Sequence, residues 1–176
     1  VELLKDFRKS MSVNDRIIAA DLSVLAPALY AADSYYIVPR IDDPTYIEKI
    51  LEICRKEKVN AVTTLIDPEI ELLAKNRAYF EEIGVEILAP YAETAELCFD
   101  KYKMHEFLAS HGIPTTETWG DYSSAMAAAG NGELEFPVFV KPRRGSGSVG
   151  AQKVLDAETL KKLCENDPSL IIQRLM

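Results

Sequence analysis

The sequence predicts an α/β protein in which a doubly wound parallel-sheet domain precedes a separate, smaller α+β unit. Short apolar segments alternate with amphipathic helical segments through the first half, as in parallel sheets covered by helices on both faces. The second half instead sets strands around a glycine-rich turn. With 48% hydrophobic residues among 176, the chain can bury a core in each domain. We place the boundary near residue 97, giving domains 1–97 and 98–176.

The first domain is predicted as a series of strands and helices joined by short loops. Two helices are expected to open with an Asp-Pro pair, at Asp43 and Asp67, and the second to continue to Ile83 and stop at Gly84. The chain begins inside a helix (1–11), so we expect a first strand and its turn to be missing. Buried strands are predicted at 17–22, 34–38, 61–66 and 85–89.

The second domain is predicted from a different order of elements. "DKYKMHEFLASHGIP" indicates a helix that ends at Gly112, and helices are also expected in "DYSSAMAAAGNGE" and "DAETLKKLCEN". Four strands are expected in "TTETW", "FPVFVKP", "GAQKVLD" and "SLIIQRLM". This mixture predicts an α+β unit.

The glycine motif G-x-G-x-x-G, formed by Gly145, Gly147 and Gly150, joins two predicted strands. A dinucleotide-binding turn would lead from a strand into a helix, so that interpretation is excluded, as is a P-loop, which requires G-K-[ST]. A kinase loop would need catalytic motifs further along the chain than 26 residues allow. What remains is a hairpin that covers phosphates beside the strand residue Lys141. From the residues alone, a surface hairpin with a solvated lysine is an equal alternative.

The net charge of −8 argues against a general nucleic-acid surface. No apolar run reaches the length of a membrane span and no signal peptide is visible, so we expect a cytoplasmic protein without a membrane partner. Three widely spaced cysteines are interpreted as reduced core thiols, and the two histidines as solvated or locally bonded: Cys54, Cys98, Cys164, His105 and His111. We predict no metal ligands within the chain.

Three segments resemble the ATP-grasp enzymes, in the group of the carbamoyl-phosphate synthase large chain. "DKYKMHEFLASHGIP" is similar to the family segment whose lysine contacts nucleotide phosphates, a role that falls on Lys101. "FPVFVKPRRGSGSVG" is similar to the segment with the strand lysine, Lys141, and the flexible phosphate cover. Arg143 is weighed equally as an aid to phosphate binding and as a solvated charge. The phosphate cover consists of Gly145, Ser146, Gly147, Ser148, Val149 and Gly150.

"SLIIQRLM" is similar to the strand that leads to the adenine-binding hinge, although Arg174 stands where the family usually has glutamate. The hinge residues are then Gln173, Arg174, Leu175 and Met176. "TTLIDPEIELLA" is typical of the domain that precedes the grasp fold in the carbamoyl-phosphate-synthase-like group. The resemblance therefore covers nearly the whole chain.

The resemblance implies an ATP-dependent ligase that phosphorylates a carboxylate or bicarbonate for attack by ammonia or an amine. ATP and Mg²⁺ are the expected cofactors, with the magnesium ligands beyond residue 176 and the catalytic residues unassigned. Only the first grasp subdomain is expected here, so the fragment alone should be inactive. The alternative is a non-catalytic nucleotide-binding or assembly module that needs a partner chain or the missing C-terminal half. A homo-oligomer or a partner chain is left open.

Overall fold

The protein is described from a computed structural model covering residues 1–175. It divides into two compact units, one formed by Val1–Leu65 and Leu72–Ala89 and the other by Ile66–Glu71 and Pro90–Met176. The boundary predicted near residue 97 falls inside a helix, Ala92–Phe99, and stays a prediction.

The first unit alternates helices and short strands. Its strands pair in parallel in two separate ladders, β1 with β2 and β3 with β4, as Ile18 opposite Ser34 and Ala61 opposite Glu86 show. Its elements are α1 (Glu2–Ser10), β1 (Ile18–Asp21), a 3-10 helix (Pro27–Ala31), β2 (Ser34–Ile37), α2 (Tyr46–Glu57), β3 (Ala61–Val62), the part of α3 (Asp67–Lys75) from Leu72 onward, α4 (Arg77–Glu81) and β4 (Glu86–Ile87).

The apolar faces of these elements form one core. It includes the buried side chains Val38, Tyr46, Ile50, Leu51, Ile53, Cys54, Leu73, Phe80, Val85 and Ile87. Parallel pairing between strands joined by helices is the pattern predicted for the first half, and the α/β class is confirmed.

The strand predicted at 61–66 is wrong in length, because pairing ends after Val62. Its partner β4 stops at Ile87, where the Ala89 amide turns back to the Ile87 carbonyl at 2.9 Å, and Pro90 follows without an amide hydrogen. The predicted strand at 85–89 is shortened for the same reason.

The helix opening predicted at Asp43 and the length of the second helix need correction, whereas α3 opens with Asp67 and Pro68 as predicted. Asp43 does not cap a helix that includes Pro44; its carboxylate accepts from the Thr45 amide at 2.8 Å in a local turn, and α2 begins at Tyr46. The helix after Asp67 breaks at Asn76, whose side chain donates to the Leu72 carbonyl at 2.8 Å and so competes with the helical backbone bond.

The second unit holds a four-stranded antiparallel sheet in the order β5-β8-β6-β7. The predicted helices and strands of this half are present, and α5 is an additional helix. The elements are α5 (Ala92–Phe99), α6 (Lys101–Ser110), β5 (Thr118–Trp119), α7 (Tyr122–Gly130), β6 (Val138–Pro142), β7 (Gln152–Val154), α8 (Ala157–Asn166) and β8 (Leu170–Arg174).

One face of this sheet packs on α7 and α8. The buried residues of this core are Ala125, Ala128, Leu134, Val138, Val140, Val154, Leu160, Leu170 and Ile172. Because side chains alternate along a strand, Phe139 and Lys141 point to the opposite face. This face carries the candidate site.

Candidate functional site

Lys141 projects from the central part of the sheet, as predicted. It lies opposite Ile171 in the β6–β8 ladder, and Phe139 lies opposite Gln173 on the same face. The Lys141 ammonium is 6.0 Å from the centroid of the Phe139 ring. Burial lowers the pKa of Lys141, and the positive charge of Lys101 lowers it further. Two lysines from different elements thus place their charges near one another.

Lys101 is the first residue of α6, and its charge is directed at the loop between β6 and β7. Its Nζ donates to the Gly145 carbonyl at 2.6 Å and to the Arg143 carbonyl at 3.4 Å. The Lys101 amide also donates to the Arg143 carbonyl, at 3.1 Å. Lys101 therefore holds the beginning of the loop that was predicted to cover phosphates.

The loop has the backbone conformation that its glycines permit. Gly145, Gly147 and Gly150 all have positive φ, at 118°, 67° and 74°, and Ser148 joins them at 58°. The antiparallel pairing of Val138 with Val154 confirms that the loop closes a hairpin. Residues 144–150 are exposed, including Ser146 and Ser148, so their amides and hydroxyls are accessible to an anion.

Arg143 is bound by protein groups at the beginning of the loop and is not a purely solvated charge. Its Nε lies 2.7 Å from both oxygens of Asp100, and its guanidinium stacks 5.2 Å from the Tyr102 ring centroid. Arg144 pairs instead with Glu71 at 3.0 Å. The two arginines neutralise buried carboxylates at the beginning of the loop, and a phosphate-binding role of Arg143 stays a prediction.

Two of the predicted hinge residues, Gln173 and Arg174, end β8. The Gln173 side chain donates to Thr118 Oγ1 at 2.8 Å, and the Arg174 amide donates to the Glu117 carbonyl at 3.1 Å. Met176 lies outside the described residues. Arg174 and Leu175 line an open cleft of about 430 Å³ together with Gly132, Glu133, Glu135, Phe136 and Pro137.

The Arg174 side chain is already engaged in this region. It pairs with the Glu117 carboxylate at 2.5 Å and donates to the Glu133 carbonyl at a similar separation. The Arg174 side chain and backbone amide thus both bind protein groups, and adenine contacts by Gln173, Arg174, Leu175 and Met176 stay predictions.

The cysteine and histidine interpretations need two corrections. Cys98 is exposed, so only Cys54 is a fully buried thiol, and burial raises its pKa to about 11. His111 is locally bonded through the Phe107 carbonyl at 2.8 Å, but His105 Nδ1 is buried without a hydrogen-bond partner among the described residues.

Residues 1–175 carry neither a cluster of metal ligands nor a membrane-spanning helix. They contain no group of three or more His, Cys, Asp or Glu side chains placed to hold a metal ion. Within the same range, no helix has the length and hydropathy needed to cross a membrane.

Sequence reasoning missed two residues of the site, Asp100 and Glu71. Both are buried carboxylates, 3% and 6% exposed, and each binds an arginine of the loop. Asp100 stands directly before Lys101 in a position typical of a helix cap, which was a usable signal. Glu71 is 73 residues from Arg144 in the sequence, and no pattern of neighbouring residues predicts that the two form a pair.

Known proteins resemble this chain in sequence over parts of its length. Phosphoribosylamine–glycine ligase of Chlorobaculum tepidum is 39% identical over 85 residues, which is 47% of this chain and 20% of that protein. Biotin carboxylase 2 of Bacillus subtilis is 27% identical over 152 residues, covering 81% of this chain and 33% of that protein. The chain thus spans a third or less of these curated relatives.

Solved structures share the fold over nearly the whole chain. The biotin carboxylase domain of Hydrogenobacter thermophilus 2-oxoglutarate carboxylase, in complex with MgADP, ADP and bicarbonate, superposes with a TM-score of 0.72 at 20% identity; it covers 99% of this chain and 41% of that one. N5-carboxyaminoimidazole ribonucleotide synthetase of Thermotoga maritima gives 0.65 at 24% identity, covering 98% and 41%.

These matches confirm the fold class and the coarser part of the resemblance, the ATP-grasp superfamily. The finer resemblance to the carbamoyl-phosphate synthase group stays a prediction. Residues 1–88, half of the chain, match the family described as "PylC-like, N-terminal domain". The chain therefore belongs to the PylC-like family through its N-terminal domain.

Proposed function

We propose that this chain forms the phosphate-binding wall of an ATP-dependent ligase of the ATP-grasp type. The observation that carries the proposal is that Lys101 and Lys141 both lie at the glycine hairpin, close enough for the charge of Lys101 to act on Lys141. Lys101 reaches the loop from a helix and Lys141 from a strand, and the charge of one lowers the pKa of the other. Two cations held near one another suit a polyphosphate, whose charges would relieve their mutual repulsion.

The residues present fit a nucleoside triphosphate better than a single phosphate. Lys101 and Lys141 supply charge, and the exposed loop 145–150 supplies backbone amides and the hydroxyls of Ser146 and Ser148. Glycines with positive φ let these amides approach phosphate oxygens closely. The nucleotide base would lie toward the hinge at 173–176.

The reaction proposed for the complete protein is activation of a carboxylate or bicarbonate by ATP, followed by attack of ammonia or an amine. It rests on the ligase and carboxylase names of the relatives and on the bicarbonate and MgADP in the Hydrogenobacter structure. A substrate like that of the carbamoyl-phosphate synthase group is the finer proposal. Mg²⁺ is proposed as the metal of the complete protein, and residues 1–175 hold no group of three or more His, Cys, Asp or Glu side chains placed for a metal ion.

A second candidate is a non-catalytic nucleotide-binding or assembly module. It is favoured by the same geometry, because the two lysines and the loop can bind ATP without a metal site or an acceptor pocket. The two candidates differ in turnover: the module binds ATP in any context, whereas the ligase consumes ATP once the remaining part of the protein and an acceptor are supplied.

Calorimetric titration of this chain with ATP and with adenosine tests the proposal. ATP should bind more tightly than adenosine, and Lys141→Met should weaken ATP by about 1.5–3 kcal/mol, the range for a charge-assisted contact, without changing adenosine. Lys153→Met is the matched control, because Lys153 lies opposite Phe139 on the same sheet face and is exposed. Equal affinities for ATP and adenosine in the unmodified chain would contradict the proposed function.

A further inference from the structure

Asp100 is a buried carboxylate that the proposed function does not use. It is one of three buried polar or charged residues among those described, with Glu71 and Thr118. A buried charge is costly unless several hydrogen bonds satisfy it. The position of those hydrogen bonds indicates what Asp100 holds in place.

The Asp100 carboxylate binds two elements at once. It caps α6 by accepting from the amides of Tyr102 and Lys103, at 3.1 and 3.0 Å. It also accepts from Arg143 Nε at 2.7 Å with each oxygen. Burial raises the pKa of Asp100, but the bonds from Arg143 and from the α6 amides outweigh this effect and lower it overall. The group is therefore a carboxylate at neutral pH.

These bonds are part of a connected set of contacts at the base of the loop, residues 143–145. Capping fixes the first turn of α6, so the Lys101 side chain leaves the helix at a defined point. Lys101 then binds the carbonyls of Arg143 and Gly145. The Arg143 amide donates to the Ser169 carbonyl at 3.0 Å, which joins this point to the segment that leads into β8.

The other side-chain helix caps described in this unit do not also bind an arginine from another element. Asp121 caps α7 through the Ser124 amide, and Asp156 caps α8 through the Thr159 amide and hydroxyl. Both carboxylates are exposed, and these bonds remain within the helix that each one caps. An ordinary cap therefore does not need the burial or the arginine of Asp100.

We infer that Asp100 is a positioning residue of the nucleotide site. Asp100 fixes the position of Lys101 and, through Arg143, the position of the base about which the loop moves. The inference rests on the proposed function, since it assigns to Asp100 the placement of a phosphate-binding lysine. Asp100 itself contacts no phosphate, because its oxygens accept hydrogen bonds from the α6 amides and from Arg143.

Asp100→Asn tests the inference, because asparagine keeps the cap but loses the charge that holds Arg143. The measurement is the ratio of ATP to adenosine affinity by calorimetry, which a purely structural weakening would not change. We expect the ratio to fall about tenfold, the size of a lost charge-assisted contact. Asp121→Asn, the same change at an ordinary cap, should leave the ratio unchanged.

Arg143→Gln removes the guanidinium that Asp100 binds. It therefore tests the same contact if Asp100→Asn does not fold. It should lower the ratio by a similar factor, and the double variant should lose little more than either single one, as coupled groups do. An unchanged or increased ratio in folded Asp100→Asn or Arg143→Gln would overturn the inference, while the unmodified chain still prefers ATP. If the unmodified chain shows no preference for ATP, the proposed function fails, and the inference with it.

Discussion

The loop between β6 and β7 has two parts that are held in opposite ways. Its base, residues 143–145, is bound through side chains and backbone by Asp100, Lys101 and Ser169. Its tip, residues 146–149, is exposed, and Val149 is 79% exposed. A cover for a ligand needs both properties: the base defines where the loop pivots, and the tip is left to move. The difference between base and tip can be measured.

The largest expected effect is on the base. Arg143→Ala should lower the free energy of unfolding of the second unit by about 1–3 kcal/mol, because it removes the 2.7 Å bonds to the buried Asp100 carboxylate and leaves only Arg144, whose Nε is 3.9 Å away. Trp119 is the single tryptophan and lies in this unit, so its fluorescence during urea denaturation reports the change.

Lys162→Ala is the control, since Lys162 forms an exposed pair with Glu158 at 2.7 Å and should cost at most about 0.5 kcal/mol. If both variants lose the same stability, the base is no better anchored than the surface of a helix.

The next effect distinguishes two glycines with similar φ. A Cβ at Gly150 would lie 3.0 Å from Pro142 Cγ, whereas at Gly147 no heavy atom lies within 4 Å of it. Gly147→Ala should cost about 1 kcal/mol for its positive φ alone. Gly150→Ala should cost roughly twice as much, because the proline ring must also move. The same tryptophan fluorescence measures both, and a larger loss for Gly147→Ala would show that the tip is the more constrained part.

A third prediction concerns loop motion without nucleotide. Amides at 146–149 should exchange hydrogen rapidly and slow when ATP and magnesium are added, because they are exposed in this structure. Lys101→Met should speed exchange at 144–147 by about three- to tenfold, the effect of one lost hydrogen bond of ~1 kcal/mol. Lys141→Met, whose side chain arises from the strand, is the matched control and should leave this exchange unchanged. Slow exchange at 146–149 in the empty chain would contradict the assignment of a mobile tip.

The smallest effect is a pH dependence. Burial and the charge of Lys101 lower the pKa of Lys141, so this ammonium loses its proton at a lower pH than an ordinary lysine. Neutral lysine does not attract phosphate, so ATP affinity should fall as pH rises through the lowered pKa of Lys141. Lys141→Arg keeps its charge and should remove most of this slope. An equal slope in that variant would assign the effect to another group.

Prediction from sequence succeeded where local chemistry decides the structure. Lys141 and the glycine hairpin follow from strand alternation and turn chemistry, and both are found as predicted. The break at Asn76 was missed because it lies in an otherwise helical pattern, where the Asn76 side chain shares the Leu72 carbonyl with the Asn76 amide. The partners of Arg143 and Arg144 were also missed. Glu71 and Arg144 meet only through tertiary packing, and no spacing in the sequence marks such a pair.

The strand order β5-β8-β6-β7 has a consequence for the synthesis of the chain. The β6–β7 hairpin can form as soon as residue 154 is available, because its strands are neighbours in sequence. By contrast, β5 has to wait for β8, since Thr118 pairs with Gln173. Until residues 170–174 leave the ribosome, β5 and one edge of β6 expose unpaired backbone groups, which makes the nascent chain prone to aggregation at this stage. The segment carrying the proposed hinge is therefore also the one that closes the sheet.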